Sequence, residues 1–234
     1  MLTFKKPKIK DLLPPPVRAA HGEYSMILSS ADDPARPTPE LIHKCLAAIH
    51  AALDIDLSSL SKRLARPPYF PDIWPGEHYK LLAAFAKTLR PSLIVEIGTA
   101  TGLSALALKQ CAPGQIVTYD VIPWNNIPTS VLTKADFGPS FSQIVGNLGD
   151  PLFFASQLDV LKKAELLFID ATHDGHLERT LLDHLKTVPF EKPPLVLFDD
   201  IRVWTMLKMW REIKEPKLDL TSFGHWSGTG AVQL

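Results

Sequence analysis

The chain has 234 residues, 46% of them hydrophobic, enough to bury the core of one main domain with elaborations. Lysine plus arginine number 25 and aspartate plus glutamate 25, so no basic surplus opposes a phosphate backbone, which argues against nucleic acid as the main partner. No window approaches the apolar length of a membrane span, and the basic Met1–Lys10 stretch has no apolar run behind it; the two cysteines, Cys45 and Cys111, have no CxxC partners and read as small core residues. The expectation is a soluble, unprocessed cytoplasmic protein without a membrane partner, disulfides or zinc.

Proline clusters at Pro14–Pro16, Pro34–Pro39 and Pro67–Pro75 punctuate the first third, where a fixed φ and a missing N–H discourage continuous elements. Residues 1–75 therefore read as an irregular cap. Within it, Thr38-Pro39-Glu40 starts a helix near 39–53, with Leu41, Cys45, Ala48 and Ala52 at helical spacing. A second helix is predicted from Glu77 to Leu89, with Leu81, Leu82 and Phe85 inward and Pro91 stopping it.

From Pro91 onward, short apolar runs alternate with helical stretches: Leu93–Ile97, Gln115–Tyr119, Ser142–Val145, Leu166–Ile169 and Leu195–Phe198, with helices beginning near Leu103, Pro128, Pro151, His176 and Val203. Such alternation predicts an α/β domain over 76–234, a doubly wound, mostly parallel sheet. Leu218–Phe223 and Gly230–Leu234, joined by the Gly-rich turn Gly224–Gly228, predict a closing C-terminal hairpin.

The segment Leu93-Ile-Val-Glu-Ile-Gly-Thr-Ala-Thr-Gly102 is an apolar strand, a glycine turn and the start of the helix Leu103–Lys109. Glycine lets a ligand lie against the main chain, and a helix start offers free N–H groups to an anion. A dinucleotide site would need a third glycine between Gly98 and Gly102, where Thr99, Ala100 and Thr101 stand instead. Asp120, ending the next strand, suits a ribose in either cofactor. With Glu96 and Asp120 at the strand ends, the stretch resembles the class I S-adenosylmethionine-dependent methyltransferases and their Rossmann-like fold. The resemblance implies that Glu96, Gly98, Thr99, Ala100, Gly102, Ser104, Asp120 and Asp170 surround the cofactor. It also implies adenine contacts at Asn147 and Leu148, although an asparagine before Leu-Gly-Asp is equally ordinary turn chemistry.

Asp170, Asp199 and Asp200 end predicted strands, on the side where a doubly wound sheet binds ligands. Close carboxylates either raise one another's pKa or require a cation, and oxygen ligands suit Mg²⁺ or another hard divalent ion. The arrangement resembles the metal-dependent O-methyltransferases of the catechol, caffeoyl-CoA and antibiotic-sugar types over about Trp74–Asp200. It departs from the catechol type in carrying Asp199-Asp200 for Asp-Asn, and His173 for a lysine. The resemblance implies a metal at Asp170, Asp199 and Asp200, with His173, near its ordinary pKa, as base; helix caps and a surface histidine are the plainer alternatives. Tyr69, Phe70, Trp74 and Trp124 are candidates for a pocket wall and His225 with Trp226 for its closure, or else ordinary packing residues. His43, His50, His78 and His184 receive no role.

The reading is methyl transfer from S-adenosylmethionine to a hydroxyl of a small molecule, with a divalent cation. A metal-independent O- or N-methyltransferase and a catalytically silent cofactor-binding module are the alternatives. Self-assembly into a homo-oligomer stays open.

Overall fold

The structure is a computed structural model that describes residues 17–18, 24–25, 35–64, 70–203 and 205–234. Met1–Lys10, the proline cluster at 14–16, Pro34, Pro67, Pro68 and Tyr69 lie outside the described residues. Val17–Arg18 pairs antiparallel with Tyr24–Ser25, apart from the main sheet.

The main sheet contains β1 (Leu93–Ile97), β2 (Gln115–Asp120), β3 (Phe141–Val145), β4 (Leu166–Ile169), β5 (Leu195–Asp199), β6 (Lys217–Asp219) and β7 (Thr229–Gln233). Its spatial order is β3-β2-β1-β4-β5-β7-β6. The first five strands are parallel, β7 runs antiparallel to β5, and β6 antiparallel to β7. β1, β4 and β5 are buried along their whole length, as parallel strands covered on both faces must be, which is why they read as unbroken apolar runs. The strand order reverses between β1 and β4, so a ligand crevice is expected at the carboxyl ends of those two strands.

Alternation along the strands splits the core into two layers. Ile94, Leu166, Phe168, Leu195 and Leu197 face one layer with α1 (Pro39–Ala52), α2 (Ser58–Ser61), α3 (Tyr79–Leu89) and α4 (Leu103–Cys111). Val95, Leu167, Ile169, Val196 and Phe198 face the other with α5 (Pro151–Ser156), α6 (Leu158–Leu161), α7 (His176–Leu185) and α8 (Met206–Glu212). In α1, Thr38 caps the helix by accepting from Leu41 N at 3.1 Å, Pro39 occupies the first turn, and Leu41, Cys45, Ala48 and Ala52 are the buried residues. Residues 39–60 of the segment read as a cap thus pack into the same layer as α3. Among the described residues, no helix is long and apolar enough to cross a membrane.

Several boundaries differ from expectation. No helix begins near Pro128: the segment forms short 3-10 turns at Trp124–Asn126 and Lys134–Asp136, the second closed by a Thr133/Asp136 capping box. Tertiary contacts hold it, since Val131 N donates to Thr101 O at 2.9 Å and Arg63 grips Asp136 with two bonds of 2.8 and 2.9 Å. The last helix starts at Met206, after a turn closed by Val203 N on Asp200 O. In the hairpin, only Lys217–Asp219 of the first arm is strand, and Thr221–Phe223 coils into a 3-10 turn.

Candidate cofactor and acceptor clefts

The turn after β1 is shaped by steric limits. Gly98 has φ 104°, and a Cβ there would sit 1.8 Å from the backbone oxygen of Asp170. That closeness comes from the adjacency of β1 and β4, whose ends are tied by Asp170 N donating to Ile97 O at 2.9 Å. Ala100 is held at φ 41° by donating its N–H to Asp120 Oδ2 at 2.9 Å, while Ile122 N donates to Oδ1 at 3.0 Å. Gly102, at φ 82°, caps the start of α4.

A cleft of about 240 Å³ opens beside this turn, lined by Gly98, Ala100, Asp120, Asn147, Leu148 and Asp170 among others. Asn147 does both things considered for it: it lines the cleft, and its Oδ1 accepts from Gly149 N at 2.8 Å in a turn. Thr99 and Ser104 line a neighbouring cleft with Ala100 and Thr101. Glu96 faces neither. It is fully buried beneath the turn, where Thr118 Oγ1 donates to its Oε2 at 2.6 Å, Thr99 Oγ1 lies 2.7 Å from Thr118 Oγ1, and Gln143 Nε2 donates to Thr99 at 3.0 Å. Burial pushes the Glu96 pKa up to about 8 against the hydrogen bonds of Ser104 and Thr118. Glu96 therefore lines neither cleft and braces the turn from below.

The neighbouring cleft, about 460 Å³, shares Ala100 and Asp170 with the first. It gathers Glu77, His78, Asp170, His173, Asp199, Asp200 and His225. The expected acids do meet, but histidines are interleaved with them. His173 bridges two: Nε2 lies 3.1 Å from Asp170 Oδ1, and Nδ1 contacts Asp200 Oδ2. Its bonds to Asp170 and Asp200 raise its pKa to about 11, so the expectation of an ordinary histidine pKa is corrected. Burial raises the Asp170 pKa. Burial works the same way on Asp200, but hydrogen bonds from His173, His225 and Ser227 outweigh it and hold that carboxyl well below the usual range. Burial opposes the charge on His225, yet its bonds to Asp199 and Asp200 prevail and lift it to about 10. Glu77 is raised by burial.

Local backbone fixes these positions. His173 (φ 58°) and Asp200 (φ 57°) sit, like Ala100, in the left-handed region that non-glycine residues avoid, a strain that clusters at functional sites. Buried Glu178 holds the His173 loop by accepting from His173 N at 2.8 Å and Gly175 N at 2.9 Å. The other expected pocket residues divide. Trp226, 74% exposed, lines the cleft. Trp124 stacks on Phe137 with centroids 5.1 Å apart, a packing role. Trp74 donates to the Phe223 carbonyl at 2.6 Å, and Phe70 is exposed.

Sequence reasoning missed His78 and gave Glu77 and Ser227 no chemistry. His78 had been set aside as a helix histidine, and nothing local marks it: its partners Asp199 and His225 lie more than a hundred residues away.

The strand order, the reversed last strand and the glycine turn define the fold of class I methyltransferases. Solved structures share it. An O-methyltransferase from Bacillus cereus in complex with SAH matches 80% of this chain and 90% of its own at 16% identity, with a TM-score of 0.52. The O-methyltransferase TomG from Streptomyces achromogenes, involved in tomaymycin synthesis and in complex with SAM, matches 80% of this chain and 95% of its own at 16% identity, with a TM-score of 0.50. No protein-family model matches the chain, and no curated protein sequence does.

Proposed function

We propose that the protein transfers the methyl group of S-adenosylmethionine to a hydroxyl of a small molecule. The observation that carries this is the adjacency of the two clefts: a groove of about 240 Å³ lined by Asp120 shares Ala100 and Asp170 in its wall with a chamber of acids and imidazoles. In this reading Asp120 holds the ribose hydroxyls, Asn147 and Leu148 meet the adenine, and the Gly98–Gly102 backbone with Thr99 and Ser104 receives the methionine end. The fold shared with O-methyltransferases supports it.

The sulfonium methyl is already activated, so the protein has to align an acceptor oxygen behind it and remove that oxygen's proton. The acceptor belongs in the second cleft, beneath Trp226. The proton goes to His173. That imidazole holds its own proton while Asp170 and Asp200 are both ionised beside it, so it acts as a base only when those charges are balanced otherwise. Asp170, Asp199 and Asp200 suit a divalent cation in charge, and Asp199 Oδ1 is buried without a hydrogen-bond partner. Such an ion, when bound, would supply that balance and acidify a coordinated hydroxyl.

The test is incubation with methyl-labelled S-adenosylmethionine and a panel of catechols, sugars with adjacent hydroxyls, and amines, with EDTA and with Mg²⁺, Mn²⁺ or Co²⁺. Label transfer to an oxygen that EDTA abolishes and a cation restores is expected. Transfer indifferent to EDTA would mean that the imidazoles alone balance the acids, and transfer to nitrogen alone would refute the acceptor class.

A further inference from the structure

Two loops far apart in sequence are laced together beside the second cleft. Trp74 Nε1 donates to Phe223 O at 2.6 Å, Gly76 N to Gly224 O at 3.1 Å, and Trp226 N to Gly76 O at 3.0 Å. The lacing brings His78, at the head of α3, and His225, ahead of β7, against Asp199 at the end of β5. His225 Nδ1 lies 3.1 Å and His78 Nδ1 3.4 Å from the same oxygen, Asp199 Oδ2. One ligand atom from each residue falls within 4.8 Å of the other two.

We infer that His78, Asp199 and His225 bind one divalent transition-metal ion of the zinc, cobalt or iron kind, in place of the all-carboxylate magnesium set. The inference rests on the cation in the reading above and replaces two of its three ligands; because Asp200 Oδ1 lies 3.5 Å from His225 Nδ1, an ion held there still stands beside Asp200 and offsets the charge that faces His173.

Two atoms each about 2.1 Å from a common ion are separated by roughly 3.0 Å along an octahedral edge and 3.4 Å along a tetrahedral one. The two separations to Asp199 Oδ2 fall in that range, and the two imidazoles, with ligand nitrogens within 4.8 Å of each other, need at most a small ring rotation to complete it. His78 is 3% exposed, yet neither of its ring nitrogens makes a hydrogen bond, and Asp199 Oδ1 beside it is likewise buried and unpartnered. Buried polar atoms left without partners are costly, and a coordinated cation supplies what these lack. Asp170 and Asp200 are already spanned by His173. Behind the proposed ligands, Glu77 Oε2 stands 3.8 Å from His225 Nε2, longer than a hydrogen bond but on the side where an outer carboxylate orients a metal-bound imidazole. The three residues line a cleft of about 460 Å³, so an ion on them keeps open positions toward an acceptor, as catalytic sites do. Two imidazoles and one carboxylate favour borderline ions over Mg²⁺, which demands oxygen donors.

The experiment is titration of the full-length, EDTA-stripped protein with Co²⁺, followed by its visible absorption, with Mg²⁺ as competitor and without cofactor. The expected result is one Co²⁺ per chain that excess Mg²⁺ does not displace. His78→Gln and His225→Gln should each lower affinity by more than the ten- to hundredfold typical of outer-shell changes, while Asp170→Asn stays within about tenfold. If His78→Gln does not fold, His225→Gln, on a loop, carries the test alone. No Co²⁺ uptake, displacement by equimolar Mg²⁺, or loss in Asp170→Asn with both histidine variants unaffected would overturn the assignment. Titration of the same samples with S-adenosylhomocysteine reports on the cofactor separately, so failure of the metal site and failure of the methyltransferase reading are distinguishable.

Discussion

Replacing Gly98 with alanine puts the account of the cofactor turn under direct strain. The new Cβ would lie 1.8 Å from the Asp170 backbone oxygen, where contacts under 3.0 Å essentially never occur, and no side-chain rotation relieves a clash with main chain. The φ of 104° adds a penalty of about 1–2 kcal/mol for any residue with a Cβ. Overpacking in a closely fitted region costs about 1–3 kcal/mol more. The total, about 2–5 kcal/mol, is a large share of a typical domain stability of about 5–15 kcal/mol. At about 2–4 °C per kcal/mol for a chain of this size, the thermal midpoint should drop by roughly 4–20 °C. Relief of the clash has to part the ends of β1 and β4, so S-adenosylhomocysteine affinity should fall as well. Thermal unfolding and calorimetric titration of Gly98→Ala measure both effects. Gly138→Ala, whose Cβ would meet nothing within 4 Å, is the control and should stay within about 0.5 kcal/mol of the parent. A Gly98→Ala protein as stable as that control, with unchanged cofactor affinity, would refute the reasoning.

Asp120→Ala removes a carboxylate placed for the ribose hydroxyls; a charged hydrogen bond contributes about 1.5–3 kcal/mol, so S-adenosylhomocysteine should bind about ten- to a hundredfold more weakly, and loss of the acceptor for Ala100 N and Ile122 N should cost about 1–3 kcal/mol of stability as well. His173→Asn should cut turnover by about 10²–10⁴-fold in rapid-mix assays while cofactor affinity changes less than threefold. For Glu96, the folded-state pKa of about 8 lies above the unfolded value near 4.5. The folded protein therefore keeps a proton that the unfolded chain has released, and this contribution is full below about pH 4.5 and is lost as pH rises toward 8. Urea midpoints should accordingly decline between pH 5 and 8, and Glu96→Gln, which cannot ionise, should flatten that slope; an unchanged slope in the variant would contradict the burial argument.

What the sequence made legible was what local chemistry controls. Continuous apolar runs located the buried strands β1, β4 and β5, and Thr38-Pro39 located the head of α1. The glycine turn and Asp120 were readable because a positive φ and a strand-end acid leave local marks. The 124–136 segment was misread because distant residues hold it: Thr101 receives its backbone N–H, Gly102 leaves room for Leu132, and Arg63 binds Asp136. His78 was the larger miss. His173 was singled out as the base, but its tie to Asp200, twenty-seven residues on, left no local mark, and His78 reads as a helix residue until the 223–227 loop delivers His225 beside it. Glu96 was placed correctly in the strand, but its burial beneath the turn was not legible, since pattern alone does not say on which side of a turn a side chain is enclosed.

The most direct test of the central claim is calorimetric titration of the purified protein with S-adenosylhomocysteine and, separately, with NADH. The account predicts one S-adenosylhomocysteine site per chain, weakened in Asp120→Ala, and no measurable NADH binding, because Thr99, Ala100 and Thr101 stand where a pyrophosphate needs glycine. Tight NADH binding with no response to S-adenosylhomocysteine would contradict it.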